Sequence, residues 1–151
     1  IAVTRTKEHH EKLQQLGASE TVLSEDLASL EPVDVVLELV GAANLSTAQR
    51  VLAPFARVVV IGVGAGATAE LDLLNVMQKR ATITGSTLRS RSREEKAAVI
   101  AQVNERLVPL WNEGRLKVPS AGRFNFEDIN RAYNFFAKPG KFGKVIVSIR
   151  E

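Results

Sequence analysis

Gly62, Gly64 and Gly66 follow four β-branched residues, Val58 to Ile61, and Ala67 completes a nominal G-x-G-x-x-A. A buried strand feeding glycines at this spacing can bind phosphate. The glycines allow a tight turn and close backbone approach, and the first amides of the following helix receive the anion. Two requirements of that pattern are not plainly met. Thr68 is a better helix N-cap than any residue inside the loop, which starts the helix after the glycines and moves its amides away from a pyrophosphate at Gly64. No acid ends the next apolar run, "ATITGS" (81–86), to receive ribose hydroxyls, although Arg89 beyond it could hold a 2′-phosphate. The spacing alone leaves two readings: a phosphate loop, or a glycine-rich strand end that meets another part of a ligand.

Other side chains with chemical capacity are few. Arg5 and Lys7 follow the short run "IAVT" and could hold an anion or be solvated charges at a helix start. His9 and His10 are adjacent, so on a helix they point to different faces and cannot chelate one ion together; solvent-facing histidines are the expectation, with His9 as a phosphate contact the alternative. Arg89, Arg91 and Arg93 read either as a solvated stripe or, for Arg89, as a ligand contact. Gly41 either ends a strand or admits a ligand. Tyr133 could serve as an acid, but its place on an amphipathic helix favours packing. Trp111, Phe135 and Phe136 stand at helical spacings and are expected in the core. No residue is assigned as a catalytic acid or base, and no metal ligand set is assigned.

The elements that would position these residues alternate in type. "IAVT" (1–4), "TVL" (21–23), "VDVVLELVG" (33–41), "RVVVIGV" (57–63) and "ATITGS" (81–86) read as strands, the third nearly continuously apolar, as a strand buried on both faces should be. Helices are expected over 7–17, over 44–54 with Leu45, Ala48, Val51 and Leu52 inward and Pro54 as the stop, and over 69–80. Such alternation implies right-handed βαβ units and a parallel sheet. The rhythm changes after Ser92, where "SREE" (92–95) forms a capping box. Its helix carries Val99, Ile100, Val103, Leu107 and Leu110. A helix over 127–138 and a last strand "KVIVSI" (144–149) follow. A boundary near residue 91 separates 1–91 from 92–151.

If "IAVT" is the second strand of a Rossmann-type sheet of order 3-2-1-4-5-6, then "VDVVLELVG" is the fourth and "RVVVIGV" the fifth. Ligands lie outside the carboxyl ends of such strands. Gly41 and Gly62 would then let backbone approach a nicotinamide, and the phosphate fingerprint would belong to a first strand and helix upstream of Ile1. The chain opens as a strand already under way, so upstream sequence is expected.

Composition places the 151-residue chain among globular domains. The longest apolar run is far short of the roughly 20 residues of a membrane helix, and no membrane partner is expected. The net charge of +3 is mild, and the basic clusters "LRSRSR" (88–93) and "KPGKFGK" (138–144) are not interleaved with aromatics as a single-strand binder requires. No nucleic-acid partner is expected. The absence of cysteine removes disulfides and thiolate metal sites and fits a cytoplasmic location.

The ordered series "TRTKEHHEKLQQLGA", "VDVVLELVG", "RVVVIGVGAG", "ATITGSTLRSR", "LVPLWNEGRLKV", "FEDINRAYNFF" and "GKFGKVIV" resembles the medium-chain dehydrogenases/reductases over essentially the whole chain. It looks most like their zinc-independent quinone oxidoreductase branch, the relatives of zeta-crystallin. The single motifs are weak; their order and spacing are more specific. The resemblance implies an α/β fold: a Rossmann-type doubly wound parallel sheet, lacking its first strand and helix in this chain, over 1–91. The segment 92–151 would be an α+β tail returning to the catalytic domain. The implied cofactor is NADP(H), and the implied activity is hydride transfer to a quinone or conjugated carbonyl. The alternatives are a zinc-dependent alcohol dehydrogenase or enoyl reductase of the same superfamily, or a non-catalytic nucleotide-binding module.

Carried over by position, Thr4, Arg5, Lys7 and His9 would meet the adenine ribose and its 2′-phosphate, and Ser24 the adenine pocket. Leu39, Val40 and Gly41 would line the nicotinamide ribose. Ile61, Gly62 and Val63, with Ser86, Thr87 and Leu88, would hold the nicotinamide and its carboxamide, and Arg89 follows them. The sequence departs from the family in carrying His9 where many relatives have Lys, and in lacking the fingerprint and any zinc ligands. The resemblance also implies a homodimer through 81–86.

Overall fold

A computed structural model describes residues 1–149; Arg150 and Glu151, the end of the returning tail, lie outside the described residues. The chain forms two compact units, Ile1–Lys96 and the residues from Ala97 on.

In the first unit the short β-branched runs are extended, as their side chains favour. They form β1 (Ala2–Thr4), β2 (Thr21–Leu23), β3 (Val33–Glu38), β4 (Leu52–Val60) and β5 (Thr82–Gly85). The helices between them are α1 (His10–Gln15), α2 (Ala42–Ala48) and α3 (Leu73–Lys79). A single 3-10 turn, Lys7–His9, leads into α1. All strand pairs are parallel: β1 with β2, and β4 between β3 and β5. The α/β parallel architecture expected from the alternation is therefore present. The core cluster joins Leu45, Leu52, Ala56 and Val58, with Val36, Ala69, Ala81 and Ile83 packed on it. Leu52 and Val58 are fully buried, each stabilising the unit by roughly 1.5–3 kcal/mol.

Three expectations are corrected here. First, β3 is not buried on both faces: Val35 and Leu37 are 54% and 60% exposed. Among the described residues β3 has one strand neighbour only. On its other side lies an apolar cleft of about 450 Å³, lined by Val3, Leu30, Val36 and Val40 among others. Second, the helix expected over 44–54 ends at Ala48, a 3-10 turn spans Gln49–Val51, and Leu52 already begins β4. The inward set Leu45, Ala48, Val51 and Leu52 is buried as expected. Pro54 ends no helix. Val33 opposes Leu52 while Val35 opposes Arg57, so residues 53–56 loop out of the ladder, where a residue without an N–H is tolerated. Within that excursion Phe55 has φ 65°, and the guanidinium of Arg80, itself at φ 51°, sits 3.8 Å over its ring.

Third, α3 starts at Leu73 rather than near Thr68. Asp72 is its N-cap, its carboxylate accepting the Asn75 N–H at 3.0 Å. The preceding segment is held extended by Gln49. Its Nε2 donates to the carbonyls of Ser46 (3.2 Å) and Glu70 (3.1 Å), and its Oε1 accepts the Asp72 N–H at 2.8 Å.

The boundary between the units falls within α4 (Arg93–Arg106). Its capping box forms: the Ser92 N–H donates to Glu95 Oε2 at 2.8 Å and the Glu95 N–H to Ser92 Oγ at 3.2 Å. The Glu94 carboxyl is held below the usual carboxylate range by a backbone hydrogen bond and by the Ser92 side chain. In the second unit α5 (Val108–Asn112) follows, and then β6 (Ser120–Asn125) and β7 (Lys144–Ser148) pair in parallel across α6 (Ile129–Ala137). Phe135 faces Phe124 with ring centroids 5.6 Å apart, and Ala132 beside it is buried. Trp111, Tyr133 and Phe136, expected to pack in the core, are instead exposed. On α6 the stripe through Ala132 and Phe135 takes the inward face, and Tyr133 and Phe136, one residue on from each, are turned off it.

Candidate functional site

Parallel pairing puts the ends of neighbouring strands side by side, and most of the residues singled out in the sequence lie just past those ends. Thr4 closes β1, Ser24 follows β2, Leu39–Gly41 follow β3, Ile61–Val63 follow β4 and Ser86–Leu88 follow β5.

The turns after β3 and β4 are stitched together. The Glu38 carbonyl accepts the N–H groups of Ile61 (2.8 Å) and Gly62 (3.2 Å), the Val40 carbonyl accepts that of Ala65 (2.8 Å), and the Gly66 carbonyl accepts that of Ala42 (3.0 Å). Two glycines permit this approach. A Cβ on Gly62 would stand 2.3 Å from the Leu39 carbonyl oxygen, and one on Gly41 2.5 Å from that of Gly66. Gly41 also has φ 103° and ψ −141°, a conformation essentially reserved for glycine. Both glycines are thus required by backbone packing against backbone, independently of any ligand. Gly64 differs: a Cβ there would meet nothing within 4 Å.

Glu38, which drew no attention in the sequence, lies under these turns. It is 3% exposed, and its Oε1 accepts the N–H groups of Val40 (2.6 Å) and Gly41 (2.8 Å). An acid inside the apolar run "VDVVLELVG" was the available signal. Above the turns, Leu39, Val40, Ile61 and Val63 are exposed, as is Leu88 after β5. Exposed apolar side chains over turns whose backbones bond to one another suit a flat heteroaromatic ring better than a free anion.

The loop after β5 is clamped by Arg91, whose guanidinium donates to Ser86 Oγ (3.0 Å) and the Thr87 carbonyl (3.2 Å). The Ser86 N–H donates to the Val60 carbonyl at 3.0 Å, which ties this loop to β4. Arg89 is exposed, and its carbonyl accepts from Lys96 Nζ at 3.3 Å.

At the other sheet, Ser24 Oγ donates to the Thr4 carbonyl at 3.4 Å, bringing the ends of β1 and β2 together. Thr4 Oγ1 makes only long contacts, 3.5 Å, with the backbone of Thr6. Arg5 and Lys7 are exposed. His9 and His10 are half-buried rather than solvent-facing. Among the described residues no three His, Asp or Glu side chains gather as a metal site, and no helix is long and apolar enough to cross a membrane.

The profile of one family, described as "Zinc-binding dehydrogenase", matches residues 1–105. No curated protein sequence matches the chain. Among solved structures, a cobalt- and zinc-bound thermostable alcohol dehydrogenase from Pyrobaculum aerophilum is 26% identical, with a TM-score of 0.76 over 97% of this chain and 42% of that one. The quinone oxidoreductase of Thermus thermophilus, solved also with NADPH, is 24% identical, with a TM-score of 0.80 over 98% of this chain and 48% of that one. The Bacillus subtilis protein yhfP, solved with NAD bound, is 21% identical, with a TM-score of 0.80 over 98% and 46%. The chain thus spans less than half the length of each of these solved chains.

Proposed function

The chain belongs to the zinc-binding dehydrogenase family of medium-chain dehydrogenases/reductases, and from that premise we propose that it is the nucleotide-binding part of an NADPH-dependent oxidoreductase reducing a quinone or conjugated carbonyl. The observation that carries this reading is the stitched pair of turns after β3 and β4, with exposed apolar side chains above it. These residues fit a nicotinamide ring: Leu39, Val40, Ile61 and Val63 offer apolar contact, and the bonded backbone beneath fixes where they stand. The cofactor would supply the hydride. The chain's part is to bind and orient. Ser86 and Thr87, tied to Arg91, offer polar groups to a carboxamide. Ser24 and Thr4 border an adenosine, and Arg5, Lys7 and His9 offer positive or donating groups to a 2′-phosphate. Thr4 is neutral where a selective NAD site would place a carboxylate on the ribose hydroxyls. Arg89 is assigned to the outer edge of the same site.

Self-association through residues 81–86 is part of the proposal. β5 is the outer strand of its sheet among the described residues, and it carries no charge to discourage edge pairing. Sedimentation of the full-length protein at micromolar concentration should give a dimer; a monomer there removes this part.

The test of the activity is NADPH oxidation by the full-length protein with a simple benzoquinone as acceptor, in the presence and absence of a zinc chelator. Chelator-insensitive turnover is expected. A second reading, a zinc-dependent alcohol dehydrogenase, is favoured by the 26% identity to the Pyrobaculum enzyme. Alcohol oxidation abolished by the chelator, with no quinone turnover, would replace the first reading with the second.

A further inference from the structure

We propose that Glu38 is a positioning residue for the cofactor: its buried carboxylate sets the turn at Val40 and Gly41, and through it the surface that meets the nicotinamide end. The inference rests on the nicotinamide-nucleotide reading above and adds a role that no resemblance assigned.

Glu38 is the last residue of β3 and is 3% exposed. A buried carboxylate is costly unless its oxygens are well bonded. Here one oxygen receives two main-chain amides, at 2.6 and 2.8 Å, short distances typical of charge-assisted bonds. Those amides belong to Val40 and Gly41, in the turn where β3 gives way to α2. They need this acceptor because the backbone reverses too sharply to supply one: Gly41, the N-cap of α2, has φ 103° and offers no side-chain cap. The Glu38 carbonyl meanwhile accepts from Ile61 and Gly62 in the neighbouring turn. One residue therefore anchors both turns, the first by its side chain and the second by its backbone.

The functional consequence follows from what lies above. Leu39 is 60% and Val40 38% exposed, at the apolar cleft beside β3, so their direction depends largely on the turn beneath them. Without the carboxylate, Val40 and Gly41 would gain freedom that ligand binding must remove again. The loss should then appear in cofactor affinity, beyond any change in folding stability.

The experiment compares three forms of the full-length protein: wild type, Glu38→Met, which fills the same space without an acceptor, and Glu38→Gln, which keeps a carbonyl oxygen for both amides. NADPH dissociation constants are measured by fluorescence well below each melting midpoint, with KM and kcat alongside. The expectation is roughly tenfold to a hundredfold weaker NADPH binding in Glu38→Met, from the ordering of two or three residues. In Glu38→Gln it should be restored to within about threefold because the geometric acceptor is kept. Should Glu38→Met fail to fold, Glu38→Ala carries the same expectation. A variant without the acceptor that melts at lower temperature yet binds NADPH as the wild type does would overturn the positioning role and leave the carboxylate as a folding element. Wild-type protein that binds neither NADPH nor NADH would overturn the cofactor reading itself, and this role with it.

Discussion

The two ends of the candidate site are built on opposite plans. After β3 and β4 the turns are held to one another by main chain, by two glycines and by one buried carboxylate. After β1 and β2, whose ladder ends at Thr4 and Leu23, a 3.4 Å bond from Ser24 Oγ to the Thr4 carbonyl ties the strand ends, and the chemical groups, Arg5 and Lys7, stand in solvent on long flexible stems. The first plan suits a region where a reacting ring must be held in one place. The second suits a region that only distinguishes one anionic group from its absence, which charge can do at a distance without rigid aim. Substitution should therefore damage the first end through the fold as well as through cofactor affinity, and the second through selectivity alone.

The largest effect should come from the glycines that let the turns touch. Gly41→Ala adds a Cβ against the Gly66 carbonyl and forces an L-residue into a glycine-only conformation, at a cost of about 3 kcal/mol or more. Gly62→Ala should cost ~1–3 kcal/mol through its clash with the Leu39 carbonyl. Gly64→Ala, in open space, should stay within ~0.5 kcal/mol. Urea melts of the three variants measure this directly, and equal losses at Gly62 and Gly64 would break the distinction between a packed turn and a permissive one.

At the other end the readout changes from stability to affinity. Arg5→Ala should weaken NADPH binding about tenfold to a hundredfold, as expected for one charge-assisted contact, leave NADH nearly unaffected and leave the melting temperature alone. The effect should shrink as salt is raised. Thr4→Asp should shift selectivity toward NADH by adding a ribose acceptor and a repulsion against the phosphate. Paired dissociation constants at fixed ionic strength check both. An equal loss for the two nucleotides in Arg5→Ala would move that side chain away from the phosphate.

The smallest effect lies outside both ends. Because the folded Glu94 carboxyl is held below the usual carboxylate range, its contribution to α4 is present at neutral pH and is lost as pH falls through that lowered value. The difference in melting temperature between wild type and Glu94→Gln should be slight at pH 7 and vanish at strongly acidic pH. A difference that grows on acidification would contradict this sign.

Much of this was legible in the residue order. The β-branched runs and their parallel pairing followed from local pattern, and so did the Ser92–Glu95 capping box and the inward set Leu45, Ala48, Val51 and Leu52. What local pattern could not supply was long-range. The apolar period of residues 45–52 continues smoothly while the backbone changes from helix to strand at Leu52. The late start of α3 depends on Gln49, more than twenty residues from Glu70 and Asp72 in sequence. Exposure of Val35, Leu37, Trp111 and Phe136 escaped the sequence because periodicity tells which face is apolar, not what is there to cover it. Glu38 was visible as one of two acids, with Asp34, in an otherwise apolar strand, but its two partners are created by a turn that only the folded glycines make possible.

Phe55 and Arg80 carry one more consequence. Both hold left-handed backbone, at φ 65° and 51°, at a cost of roughly 1–2 kcal/mol for each residue with a Cβ. The guanidinium 3.8 Å over the ring returns part of one such penalty, ~0.5–1 kcal/mol. Each side chain is thus tolerated partly because the other is there. Glycine at position 80 should gain more stability once position 55 is already glycine, since no stacking is left to lose. A double-mutant cycle would read this as epistasis, a coupling that makes the accessible sequences at this corner depend on which residue changes first.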